Sequence, residues 1–261
     1  MKVIKAIGHL IFIVLLTALT QLGGFIWLIC LIISYKTKKR KRIMFPLLYL
    51  AFNLIIIPPL AKVFGREQLP VFNKELKPRN WIYPLLFRNY VNPRLKIELE
   101  DSAHVLFISH NISISYLDAN FPFIDGYPLL PHLSHSDGKK IDICFQYLDS
   151  NKKPTDKKPS TSGYGIYVNS EKSYRIKSCL NKGYWQYDFT KYLTFGAIND
   201  LELDKIKTKL LIKHLLSNNQ TQKIFIEPHL KQSLGLSHEN KIRFHGCQAV
   251  RHDDHIHLQI K

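Results

Sequence analysis

The last ten residues, His252-Asp253-Asp254-His255-Ile256-His257-Leu258-Gln259-Ile260-Lys261, decide how the chain is read. Three of the twelve histidines fall within six positions here. Ile256, Leu258 and Ile260 alternate with His255, His257 and Gln259, the period of a half-buried strand. On such a strand His255 and His257 share one face while the apolar residues pack on the other. Two imidazoles on one strand face make half of a metal site, so a partner segment is expected elsewhere.

Working outward, the partner is His132-Leu133-Ser134-His135-Ser136-Asp137-Gly138-Lys139-Lys140-Ile141-Asp142-Ile143. Ile141, Ile143, Phe145 and Tyr147 form one apolar strand face, which leaves Asp142, Cys144 and Gln146 on the other. Gly138 permits a turn that folds His135 back over Asp142. With His257 added, the set is two imidazoles and one carboxylate. That donor set suits Zn2+, whose catalytic sites keep a fourth position open. His255, beside His257, is expected to take a proton or to stabilise negative charge.

The remaining patterns predict an α+β fold with a central antiparallel sheet and flanking helices. Strands are expected at 95–100, 105–109 and 223–226, an amphipathic helix at 201–216, and a short helix at 228–234. Residues 150–162 read as a solvated loop, and 163–168 and 173–177 as strands or a lid. Cys30 lies in an apolar run. Among Cys144, Cys179 and Cys247 one disulfide is possible. His104, His110, His214, His229, His238 and His245 read as ordinary surface or core residues.

The amino-terminal quarter differs. Residues 6–35 are almost wholly apolar and predict one tilted membrane helix, too long for the apolar core of a cleaved signal peptide. Lys36-Thr37-Lys38-Lys39-Arg40-Lys41-Arg42 follows, and 43–61 forms a second apolar run. The expectation is a transmembrane hairpin at 1–63 with its basic turn in the cytoplasm. A linker at 64–93 and a zinc peptidase domain at 94–261 complete the predicted organisation. That domain would be periplasmic or extracytoplasmic on the inner (cytoplasmic) membrane. The formal charge of +17 fits nucleic acid, anionic lipid or an acidic polymer. No nucleic-acid fold signature is present, which favours the polymer.

The motifs His132-x-x-His135-x-x-Gly138-x-x-x-Asp142-Ile143 and His252-x-x-His255-x-His257 resemble those of the penicillin-insensitive murein endopeptidases. These are grouped with lysostaphin-type enzymes, D-alanyl-D-alanine peptidases and the hedgehog domain. The segment Ile224-Phe225-Ile226-Glu227-Pro228-His229-Leu230-Lys231-Gln232-Ser233-Leu234 is similar to one these endopeptidases carry before the final motif. The resemblance implies zinc ligation by His135, Asp142 and His257, with His132 at a further metal-associated position. It implies catalytic roles for His255 and His252, and hydrolysis of D-alanyl cross-links in peptidoglycan. A D,D-carboxypeptidase and a non-catalytic zinc-stabilised wall-binding module are the competing expectations.

Overall fold

The computed structural model describes residues 2–168 and 173–261. It opens with α1 (Lys2–Thr20) and α2 (Gly23–Thr37). The single helix expected over 6–35 is therefore two helices, broken at Gln21 and Leu22. The break follows from local chemistry. Gln21 adopts φ 65°, and the Thr20 hydroxyl accepts a hydrogen bond from Gly23 N at 2.7 Å. A Cβ on Gly23 or Gly24 would lie 2.6 Å from Thr20 Oγ1 or 2.1 Å from Thr17 Oγ1, so only glycine permits the close crossing. The turn is buried, with Thr20 1 % and Gln21 6 % exposed.

After the basic turn come α3 (Lys41–Ala51), a π-helical turn (Phe52–Ile56) and α4 (Ile57–Val63). Pro58 and Pro59 carry no N–H, which favours local rearrangement of the helical ladder just before them. Asn53 in that turn donates to the Pro84 carbonyl at 2.9 Å. Val3–Thr20 and Lys41–Val63 are long and apolar enough to cross a membrane, while Gly23–Thr37 is shorter.

The segment expected as a linker at 64–93 is part of the folded unit. It supplies β1 (Glu67–Gln68), β2 (Leu76–Pro78), the one-turn α5 (Ile82–Leu85) and β3 (Tyr90–Val91). β1 pairs antiparallel with β3. Next is α6 (Pro93–His110), where two strands were expected. Asn92 caps it, accepting from Leu95 N at 2.8 Å, and Pro93 occupies the first turn. Leu95, Leu99, Ala103 and Leu106 line its buried face at helical spacing.

The chain continues through β4 (Ile114–Tyr116), β5 (Lys140–Cys144), β6 (Tyr147–Leu148) and β7 (Pro154–Thr155). Then come α7 (Tyr174–Asn181), a 3-10 turn (Phe189–Thr194), β8 (Glu202–Leu203) and α8 (Lys205–Ser217). The end of the chain holds β9 (Thr221–Phe225), α9 (Pro228–Ser233), β10 (Ile242–Arg243) and β11 (His255–Ile260). The stretch 173–177 is thus the start of a helix, whereas 163–168 is irregular.

The main sheet has the order β10-β9-β11-β5-β4-β2. Its four inner strands are antiparallel, as expected, and the edge strands β10 and β2 run parallel to their neighbours. Ile141, Ile143, Ile256 and Leu258 join Leu95, Leu99, Leu211 and Leu215 in the main core. One sheet face is therefore sealed by α6 and α8, and the other is left for polar side chains. A second cluster joins Ile26, Ile57 and Ala61 of the helical bundle to Phe87, Tyr90, Phe121 and Leu129. There Tyr127 Oη donates to the Thr17 carbonyl at 2.7 Å and Phe123 N donates to Gln21 Oε1 at 3.1 Å. The bundle thus grips the loop that leads to His132 and His135. Cys179 and Cys247 form a disulfide, while Cys30 and Cys144 are free and buried.

Candidate metal centre

β11 lies between β9 and β5, and the register sets His257 directly opposite Asp142 and His255 opposite Cys144. Opposed residues of an antiparallel pair share a face, so His257 and Asp142 meet side by side. His135 arrives from the loop between β4 and β5. Gly138, at φ 75°, turns that loop back onto the sheet. A Cβ there would lie 2.1 Å from Arg66 Nη1, whose guanidinium holds the Asp137 carbonyl at 2.7 Å. Glycine is needed twice, for the backbone angle and for the arginine.

His135 Nε2 lies 3.0 Å from His257 Nδ1 and 3.2 Å from Asp142 Oδ1, and His257 Nδ1 lies 2.9 Å from the same oxygen. His135 Nδ1 donates to the Ala119 carbonyl at 2.8 Å. In the neutral ring that leaves Nε2 as a bare lone pair aimed at Asp142 and His257. At most one proton, on His257 Nδ1, can then lie among the three atoms. Tetrahedral ligands about 2.0–2.2 Å from a shared ion stand roughly 3.3–3.6 Å apart. The observed triangle is a few tenths of an ångström tighter, so these groups could hold a metal ion. His132, Asp142 and His255 form a second such group through the same carboxylate.

The surroundings of Asp142 explain its charge. Burial opposes ionisation, but the facing imidazoles of His135, His132 and His255 outweigh it and hold the carboxyl well below its ordinary range. Its second oxygen accepts from Tyr164 Oη at 2.7 Å. Burial, helped by Asp142 and Asp118, keeps that phenol protonated as a donor. Tyr164 Oη in turn accepts from Asp118 N at 3.2 Å. Asp118 pairs with Arg88 at 2.9 Å and receives His132 Nδ1 at 3.2 Å. His132 therefore sits against Asp118 and lies 3.4 Å from Asp142 Oδ2, on the opposite oxygen from His135 and His257.

His255 and His252 differ in setting. His255 Nδ1 meets Asp254 Oδ1 at 2.5 Å, and the other Asp254 oxygen accepts from Gly165 N at 2.6 Å. Burial works against charge on His255, yet the Asp142 and Asp254 carboxylates raise it to about 9. Its Nε2 stands 3.6 Å from Asp142 Oδ1 without a hydrogen-bond partner among the described residues. His252 lies just before the bend at residues 253 and 254, the departure from strand parity that lets it reach the site. Its ring centre is 4.8 Å from that of His255. Burial, together with the neighbouring His255, His257 and His245, keeps His252 neutral.

A pocket of about 200 Å³ opens over this cluster, lined among others by His132, Gln186, His245, Gln248, His252 and His257. His252 and His257 face it, whereas His255 is fully buried behind. One wall is the 174–192 segment, which the disulfide straps to the loop carrying Gln248. Sequence reasoning took His245 for an ordinary residue. It stacks on Phe225 at 4.2 Å and lines the pocket. Asp118, Tyr164 and Arg88 were also missed, because their contacts reach across 14 to 30 residues and leave no local pattern. Asp253 is buried against Arg251, with contacts of 2.6 and 2.5 Å, and is not a solvated charge. No protein-family model and no curated protein sequence matches this chain significantly.

Proposed function

We propose that this chain is a membrane-anchored zinc peptidase that hydrolyses D-alanyl amide cross-links of peptidoglycan, a D,D-endopeptidase. The observation that carries this reading is the convergence of His135, Asp142 and His257 under a pocket faced by a further histidine. A zinc ion held by those three would supply Lewis acidity and a lowered pKa for water at the open position. His252, neutral and facing the pocket, accepts a proton from the attacking water and returns it to the departing amine. His255, held cationic by Asp142 and Asp254 behind the pocket, adds positive charge to the field in which negative charge develops on the scissile carbonyl oxygen. Tyr164 and the Ala119 carbonyl orient Asp142 and His135. The imidazole of His132, leaning on Asp118, borders the pocket where substrate would enter.

The amino-terminal helices support the same reading. With α1 and α2 as separate helices, Lys5 lies toward the end that carries Lys36–Arg42, and His9 Nε2 meets Lys41 Nζ at 3.3 Å. Under the positive-inside rule that end would face the cytoplasm and the domain the other side. The Cys179–Cys247 bridge suits an oxidising compartment. A chain with 37 basic and 20 acidic residues suits a carboxylate-bearing polymer.

The test uses the detergent-purified full chain loaded with Zn2+ and incubated with purified sacculi. Cross-linked muropeptide dimers falling to monomers, with His255→Ala inactive yet still binding zinc, supports the endopeptidase. Loss of a single alanine from pentapeptide stems identifies a carboxypeptidase instead. Metal retained with no cleavage by the wild type would leave a wall-binding module.

A further inference from the structure

The segment joining α7 to β8 carries an aromatic groove that the metal centre does not use. Tyr184, Trp185, Asp188, Phe189, Lys191 and Tyr192 line most of a cavity of about 370 Å³. Trp185 and Tyr192 are 63 % and 65 % exposed, unusual for rings held in fixed relation to one another. Trp185 stands edge-on to Phe189 with centres 5.5 Å apart, and Phe189 edge-on to Tyr192 at 5.9 Å. The floor is rigid. Asp188 pairs with Arg251 at 3.3 Å, and Arg251 grips Asp253, two residues before His255.

The groove lies beside the metal pocket. Gln248 Nε2 donates to Tyr184 Oη at 3.3 Å, which joins a residue of one cavity to a residue of the other. Gln186, next to Trp185 in sequence, faces the metal pocket and donates to the Pro131 carbonyl at 3.0 Å. A ligand lying in the groove would therefore extend toward the site of hydrolysis. Asp188 and Lys191 pair with each other at the edge of the rings, and exposed ring faces bordered by such a polar pair match a pyranose sugar, which has an apolar C–H face and a rim of hydroxyls. The volume lies within the range of about 300–1,000 Å³ usual for small-ligand sites. A membrane-binding surface would be a continuous apolar face bordered by cations, whereas this site is concave and holds Asp188.

We propose that this groove is a glycan subsite that binds N-acetylated amino-sugar units of the substrate polymer beside the metal centre. The inference rests on the peptidoglycan reading for its biological ligand, but its binding test does not need hydrolysis. The full chain in detergent is titrated with an uncharged N-acetylglucosamine tetramer, following tryptophan fluorescence. The chain has three tryptophans, so Trp185→Phe identifies the responding ring. Wild type shows a saturable change that Trp185→Phe removes, while Trp185→Ala weakens binding about threefold to tenfold by calorimetry. In cleavage assays, the kcat/KM preference for sugar-bearing over sugar-free cross-linked peptide falls by a similar factor in Trp185→Ala. Saturable sugar binding with no cleavage of either peptide sinks the peptidase reading and leaves the subsite standing. Absent sugar binding, or quenching of Trp185 by brominated lipid in nanodiscs, overturns the subsite.

Discussion

Replacing Tyr164 by Phe removes one oxygen from the wall of the metal centre and leaves the ring. That ring packs 4.9 Å from His132 and 5.0 Å from His255, so the variant keeps the filling of the site. What is lost is the 2.7 Å bond to Asp142 Oδ2 and the acceptor for Asp118 N. A hydrogen bond to a buried charged group contributes about 1.5–3 kcal/mol, so the metal-free chain loses stability of that order. Metal binding suffers separately, because Asp142 is freer to turn its oxygens away from His135 and His257. Removing a partner that orients a ligand costs about 10–100-fold in affinity, equivalent to roughly 1.4–2.7 kcal/mol. Competition of purified wild type and Tyr164→Phe with a chromophoric chelator for Zn2+ measures this, alongside detergent melts without metal. Affinity within twofold of wild type, despite a lowered melting temperature, would refute the argument. Asp142 would then not be a ligand whose aim depends on Tyr164.

Other expectations follow from single contacts. Gly138→Ala places a left-handed alanine, costing about 1–2 kcal/mol, and drives Arg66 from the Asp137 carbonyl. Both a lower melting temperature and weakened zinc binding are expected, and unchanged zinc binding would separate the turn from His135. Burial, with Asp253 nearby, raises Glu227 from 4.5 to about 7. An acid raised on folding is stabilising when protonated, so stability is fullest below pH 4.5 and falls as pH rises toward 7. The loss relative to Glu227→Gln is about 3 kcal/mol, and denaturation curves across that window that run parallel for both chains would contradict it. The Cys179–Cys247 bridge closes a span of 68 residues, so Cys179→Ser with Cys247→Ser should cost up to about 4 kcal/mol. It should also loosen the pocket wall, read as faster proteolysis within the 174–192 segment; identical cleavage patterns would count against a strap.

The metal triangle was legible because strand parity is a local rule with long-range consequences. Alternation at 141–147 and at 255–260 placed Asp142 and His257 on polar faces, and only the pairing of the two strands was still needed. The same alternation misled at 95–100, as did the short apolar run at 105–109. Such short windows mimic strands, yet Asn92-Pro93 is a helix start, and the apolar spacing over eighteen residues is helical. The amino-terminal run was read by length alone. Its break came from Thr20 and two glycines, whose effect depends on a second helix lying against them. Asp118, Tyr164 and Arg88 had no pattern to betray them, because a partner to a ligand needs only the right atom at the right place. The disulfide was one of several options in sequence, settled by α7 packing beside the 244–250 loop.

The most direct measurement is the position of a bound ion. Crystals of the zinc-loaded full chain, with diffraction recorded on both sides of the zinc absorption edge, should show one anomalous peak. The peak should lie about 2.0–2.2 Å from His135 Nε2, Asp142 Oδ1 and His257 Nδ1. A peak held instead by His132 and His255, or no zinc between the two strands, would contradict this placement.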